Sequence, residues 1–199
     1  MNAVRLTQCV MLVGFCWTLA SCAVPSDSSG LDKTGNVTCE GSPELIVDPL
    51  FTAVTGSGGA WQYRQHAGAR SFSVAAQDGV LTLERVGPEP WAVFRQSITD
   101  ERLSGATIRF TADLRGDVSP NVSHGFEAKA GLFLQIAKYS DAFMGDQNPK
   151  NGQWDWQAFS VTKTVPVGAN SLQVGFIHQA GEGSIEARNP SLVLVDCAD

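Results

Sequence analysis

The side chains best equipped for chemistry in this 199-residue chain are aromatics, amides and guanidinium groups. Trp154-Asp155-Trp156 sets two indoles two positions apart, so that in a strand they share one face with Asp155 opposite. The loop Asn148-Pro-Lys-Asn-Gly-Gln153 leads into them. Trp91 follows Pro88-Glu-Pro90 and opens a segment on which Arg95 lies on the same face, while Arg85 stands late in the preceding segment. Trp91, Arg95 and Gln135, with Arg85, are expected to line a polar groove on a concave sheet. Trp154 is expected to add a ligand contact at the rim and Trp156 to join the core. Indole faces stack on the CH-rich side of a pyranose, and guanidinium and amide groups bond its hydroxyls. Alternating Arg and Gln also decorate any solvated sheet face, so the pattern alone leaves that second reading open.

Other chemistries find fewer supports. With 20 acidic against 14 basic side chains and a net charge of −6, the chain lacks the phosphate-neutralising surface that nucleic-acid affinity needs, and no nucleic-acid partner is expected. Three His and no Cys/His cluster at ligand spacing leave little for zinc or haem. Glycoside hydrolysis requires two carboxylates across a cleft, and no Glu-x-Asp-x-x-Glu strand of the laminarinase kind occurs. Gln62-Tyr-Arg-Gln-His66 contains residue types used by polysaccharide lyases without their three-strand pattern. His66 and His178 read as loop or structural residues. Gly-x-Ser-x-Gly, His-Glu-x-x-His and phosphate-loop motifs are absent from the sequence. No catalytic residue is expected.

The elements that must position these groups are strands. Ala106, Ile108, Phe110, Ala112 and Leu114 alternate with Thr107, Arg109, Thr111 and Asp113, the signature of a half-buried antiparallel strand. About ten such runs, from Leu45–Val47 to Leu192–Asp196, are separated by turn signals such as Asp78-Gly79 and Glu182-Gly183, both expected to be hairpin tips. The pattern predicts an all-β antiparallel sandwich.

The amino terminus has a different character. Arg5 precedes a mostly apolar run, Cys9 to Ala20, too short for the roughly 20 residues of a membrane-spanning helix. Leu19-Ala20-Ser21-Cys22 resembles the bacterial lipobox, which implies cleavage before Cys22 and lipid attachment to its thiol. Ala23 in place of Asp implies, by the enterobacterial pattern, sorting to the outer membrane. The expected organisation is a signal peptide over residues 1–21, a flexible tether over residues 22–38, rich in Ser, Gly, Asp and Thr, and a folded domain over residues 39–199. In the oxidising compartment this implies, Cys39 and Cys197 are the natural disulfide partners, which would bring the first and last strands together.

The stretch Trp156 to Phe176, with Val165-Pro-Val-Gly-Ala169, then Gly181-Glu-Gly183 and Leu192-Val-Leu-Val-Asp196, resembles the end of a carbohydrate-binding-module type, galactose-binding-domain-like jelly roll. That resemblance implies a jelly-roll sandwich and a non-catalytic carbohydrate-binding role. It also implies a structural calcium between first and last strands, for which Asp48 and Asp196 are the candidate ligands, although the usual Glu is missing. An envelope assembly role, with a protein as the partner, uses the same elements and stands as the alternative; a polysaccharide-active enzyme is the less favoured third reading.

Overall fold

The computed structural model describes residues 43–54, 59–136, 142–143 and 151–196. Their strands, in chain order, are β1 (Trp61–Gln65), β2 (Phe72–Gln77), β3 (Val80–Arg85), β4 (Trp91–Thr99), β5 (Thr107–Val118), β6 (Val122–Ser123), β7 (Phe126–Glu127), β8 (Lys129–Ile136), β9 (Ala142–Phe143), β10 (Gly152–Thr164), β11 (Ser171–Gln179) and β12 (Gly183–Asp196). They form a front sheet, β1-β4-β11-β8-β9, a back sheet, β10-β5-β12-β3-β2, and a small β6-β7 ribbon. Every pairing is antiparallel. The architecture is the antiparallel β-sandwich that the strand pattern predicts, in the jelly-roll form that the resemblance at the carboxyl end implies.

Alternation decides which side of each strand is buried. In β5, Ile108, Phe110, Ala112 and Leu114 are almost wholly buried between the sheets, while Thr107, Arg109, Thr111 and Asp113 are only partly covered. Trp61 of β1 stacks on Phe94 (ring centroids 5.6 Å apart) and on Phe176 (5.9 Å), and Phe51 closes over it at 5.1 Å. Each fully buried Phe of this kind contributes about 1.5–3 kcal/mol of hydrophobic stabilisation. The Trp61 indole N–H is satisfied, donating to the Asp48 carbonyl. Gln96, on the inner face of β4, grips both the N–H and the carbonyl of Val47.

Several expectations are corrected by long-range pairing. Asp78-Gly79 does join β2 to β3 as a hairpin, both residues having positive φ. Gly181-Glu-Gly183 is no hairpin tip, because β11 belongs to the front sheet and β12 to the back. It is a crossover, fixed to Ser119 by hydrogen bonds from the Ser119 N–H to the Glu182 carbonyl and from the Glu182 N–H to Ser119 Oγ. The expected strands Ser184–Ala187 and Leu192–Asp196 are one strand, β12, interrupted between Arg188 and Ser191 by a bulge that holds Pro190. A bulge suits proline, which cannot donate to a ladder. Leu45–Val47 is no strand, yet the Leu45 N–H donates to the Leu192 carbonyl and the Glu44 carboxylate accepts the Leu192 N–H. The start of the described chain therefore lies against its last strand.

Candidate functional site

The outer face of the front sheet is assembled in rows across its strands. Arg64, Val93, Ile177 and Gly131 lie side by side on β1, β4, β11 and β8, and Gln62, Arg95, Gly175 and Phe133 form the next row. Trp91, Gln179 and Lys129 flank one side, and Ser97, Gln173 and Gln135 the other. Successive outward residues on a strand are about 6.6 Å apart, since each residue rises about 3.3 Å. Val93, Phe133 and Ile177 are buried in a small apolar cluster separate from the main core, and Trp91 packs on it half-exposed. Gly131 and Gly175 add no side chains to the middle of this strip. At Gly175 a Cβ would overlap the Phe94 carbonyl, so the glycine is required by close approach of β4.

Trp91, Arg95 and Gln135, three residues singled out from sequence, thus share this face. Trp91 is also touched edge-on by the His66 ring, 5.9 Å away, and His66 Nδ1 meets the Glu89 carboxylate at 3.0 Å. Arg95 is half-buried. Its Nη1 donates to Gln173 Oε1 at 2.5 Å, but its buried Nε has no partner. Burial first, and then the positive charge of Arg64, push its guanidinium below the ordinary arginine value. Sequence reasoning passed over Gln62, Arg64, Lys129, Phe133 and Gln173 as members of this face. The available signal was a lone glycine within each of the apolar runs Leu172–Ile177 and Ala130–Leu134.

Trp154 lies elsewhere. It sits on β10, the edge strand of the back sheet, opposite Gly116 of β5, and its ring packs on the core so closely that a Cβ at Gly116 would overlap it. Trp154 and Trp156 were expected to share a face; a bulge between Trp154 and Gln157 breaks the alternation. Trp156 is consequently not a core residue. It lies between two guanidinium groups, Arg115 at 4.9 Å and Arg188 at 4.2 Å from its ring centre. Arg115 pairs with Glu186 at 2.6 Å and Arg188 with Asp113 at 3.3 Å. Beside them is an open groove of about 480 Å³ whose lining includes Trp154 itself, with Arg115, Asp117, Asp155, Ser184 and Glu186. One site cannot contain all four predicted residues, because the two sheets back onto each other.

Arg85 is also removed from the front face. It belongs to β3 in the back sheet, and its guanidinium donates to the carbonyls of Gly87, Pro88 and Ala180 and to Ser123 Oγ, pinning loops together. His178 is fully buried on the inner side of β11, edge-on to Phe72 at 5.3 Å, with neither ring nitrogen hydrogen-bonded. Burial, then the charge of Arg85, depress it to about 4, so it is a neutral core residue. Asp48 does not fit the calcium role. Burial alone would raise its carboxyl, but donors from the Thr52 N–H and hydroxyl and the Ala53 N–H occupy both oxygens and hold it below the usual value. Among the described residues no group of three or more His, Cys, Asp or Glu is arranged to hold a metal ion. Asp196 ends β12 opposite Thr107. Cys22, Cys39 and Cys197 lie outside the described residues.

No family model and no curated protein matches the chain. Solved structures do. The CBM22-1 xylan-binding domain of Paenibacillus barcinonensis Xyn10C aligns at a TM-score of 0.51 and 12% identity, over 79% of this chain and 97% of that one. A CBM4 module aligns at 0.50 and 17%, over 76% and 94%. The enzymatically active domain of bacteriophage CBA120 tailspike protein 4 aligns at 0.49 and 16%, and there the match spans 68% of this chain but only 19% of the tailspike chain. At these identities the likeness establishes the fold: a β-sandwich of the kind found in carbohydrate-binding modules.

Proposed function

We propose that this domain binds a carbohydrate chain, without turning it over, along the outer face of the front sheet. The observation that carries the reading is the convergence of Trp91, Arg95 and Gln135, with Gln62 and Gln173, around a buried apolar strip, while the Arg95 Nε is left without a partner. Trp91 stacks on the apolar side of a sugar ring, and the amides and guanidinium bond its hydroxyls. An unpaired buried donor is costly unless a ligand satisfies it, so a bound hydroxyl or carboxylate gains what the free protein forgoes. The two carboxylates that glycoside hydrolysis needs have no counterpart here, since β1, β4, β8 and β11 contain no Asp or Glu. Affinity electrophoresis of the full chain in gels containing soluble polysaccharides tests this. Retardation by at least one glycan is expected, weakened roughly 30-fold in Trp91→Ala with a fall in melting temperature of only a few degrees. A folded protein retarded by none would shift the reading to an envelope partner protein.

The same proposal includes attachment to the bacterial envelope, with the outer membrane as its location, through a lipid on Cys22 and a Cys39–Cys197 disulfide closing the domain. The lipobox-like Leu19-Ala20-Ser21-Cys22 supports the first. The contact of Leu45 with Leu192, a few residues inside the two cysteines, supports the second. Labelling with radioactive palmitate should be lost in Cys22→Ser. A non-reducing digest should yield the linked Cys39 and Cys197 peptides, and free thiols at both positions would remove the disulfide.

A further inference from the structure

Charge on the front sheet is as one-sided as its hydrogen bonding is incomplete. The 31 residues of β1, β4, β8 and β11 hold Arg64, Arg95 and Lys129 and not one Asp or Glu, in a chain whose net charge is −6. All three cations fall on the outer face. Among the described residues none of the three has a carboxylate partner. The nearest acid of the loop before β4, Glu89, is spent on His66 and the Ala67 N–H. Arg64 and Arg95 occupy diagonal positions on neighbouring strands, since Arg64 faces Val93, two residues before Arg95. Such positions are about 7–8 Å apart, and the Arg64 charge disfavours that of Arg95 unless an anion lies between them. Neutral hydroxyls would be served as well by Gln or Asn; a pair of forked, uncompensated cations matches a carboxylate.

We propose that the front face selects an acidic glycan, in which a uronate carboxylate seats between Arg95 and Arg64 while the ring of a neighbouring sugar lies on Trp91. Lys129, level with Trp91 across two strands, receives a further carboxylate of the same chain. This rests on the carbohydrate-binding reading above and narrows its ligand class.

The test uses the full chain and gels containing polygalacturonate, alginate or glucuronoxylan, each run beside its carboxyl-reduced neutral form and beside dextran sulfate. At least one uronate polymer should retard the protein at least 10-fold more strongly than its reduced form, the scale of one charge-assisted hydrogen-bond pair. Arg95→Gln should weaken that binding 10-fold or more and Arg64→Gln roughly 3- to 10-fold by the same scale. Arg95→Lys should fail to restore it, because a point charge does not replace the fork. Arg115→Gln, on the opposite face, should leave it unchanged. Thermal melts of each variant separate lost binding from lost folding. Equal retardation by a polymer and its reduced form overturns the acidic-sugar inference and leaves the carbohydrate reading standing. Retardation by dextran sulfate alone, or rescue by Lys, overturns the carboxylate fork, and retardation by nothing removes both readings.

Discussion

The two outer faces of the sandwich carry arginine and tryptophan in opposite states. On the back face Arg115 and Arg188 flank Trp156 and are each closed off by a carboxylate, Glu186 and Asp113, with Asn189 also bonded to Asp113. The strands of that sheet hold five bases against six acids. Among the described residues, on the front face no guanidinium lies over Trp91, Arg95 has the Gln173 amide as its only partner, and Arg64 has none. A ligand at the back groove would have to compete for arginines already paired within the protein, and among the described residues the Trp154 indole N–H is the one buried polar group left unmet there. At the front it would meet donors that folding has left unsatisfied. The groove is at the back, yet the unpaired arginines are at the front, and binding follows unspent chemistry more than concavity.

Satisfaction differs on the inner side as well. His178, beneath the front face, is held to about 4 by burial and then by Arg85. Its pKa in the unfolded chain is near 6.5, so the unfolded state takes up the proton first as pH falls. Stability from this group is complete above pH 6.5 and declines as pH drops towards 4, by on the order of 3 kcal/mol if the whole shift is expressed. Thermal melts between pH 7.5 and 4.5 should show the decline in the native chain, and His178→Leu should flatten it. Asp100 does not confuse that window: its carboxyl is lowered to about 2 by hydrogen bonds from the Arg102 side chain and N–H, so its contribution is lost only below the usual carboxylate value.

The two tryptophans sharpen the comparison further. Trp154→Ala removes a ring that packs on the core and on Gly116, and should cost about 3 kcal/mol, the low end for a large aromatic because its side chain is only partly buried. Glycan affinity of the protein that remains folded should be unchanged. Trp91→Ala should do the reverse: a binding loss of about 2 kcal/mol, roughly 30-fold, typical of an interface tryptophan, with a fall in melting temperature of only a few degrees. If Trp154→Ala lost affinity in the folded state, the ligand would have to reach the back sheet and the division between the faces would fail.

How far the site could be read from sequence follows from the same contrast. Within one strand alternation is reliable: it places Trp91 and Arg95 on one side of β4, and Gln135 of β8 joins them because both strands pair with β11. Two things were illegible. A bulge between Trp154 and Gln157 reverses parity in an edge strand whose spacing looks regular, and so Trp156 went to the surface and Trp154 to the core. Sheet membership after a turn was equally hidden. Gly79 closes a hairpin and Gly183 a crossover, although each follows an acidic residue, because Gly183 is held against the Asp117 carbonyl of β5. That difference resides in long-range pairing, which also carries Arg85 to the opposite sheet from Arg95.

The smallest expected effect tests whether the back-face network is merely surface. Glu186 and Arg115 are about one-quarter and one-half exposed, so solvent screens their attraction. A double-mutant cycle with Arg115→Gln and Glu186→Gln should give a coupling of about 0.5 kcal/mol, less at high salt. The same cycle on Arg188 and Asp113 should give a similar value, since the 3.3 Å contact is longer but Asn189 orients the carboxylate. None of these changes should alter glycan retardation. Each carboxylate change also leaves an unpaired guanidinium over Trp156, recreating on the back face the free arginine and indole that the front face holds. If Glu186→Gln or Asp113→Asn made the back face retain a uronate polymer, the carboxylates would be revealed as what keeps that face closed, and the difference between the two faces would reduce to which arginines fold with their own counter-ion.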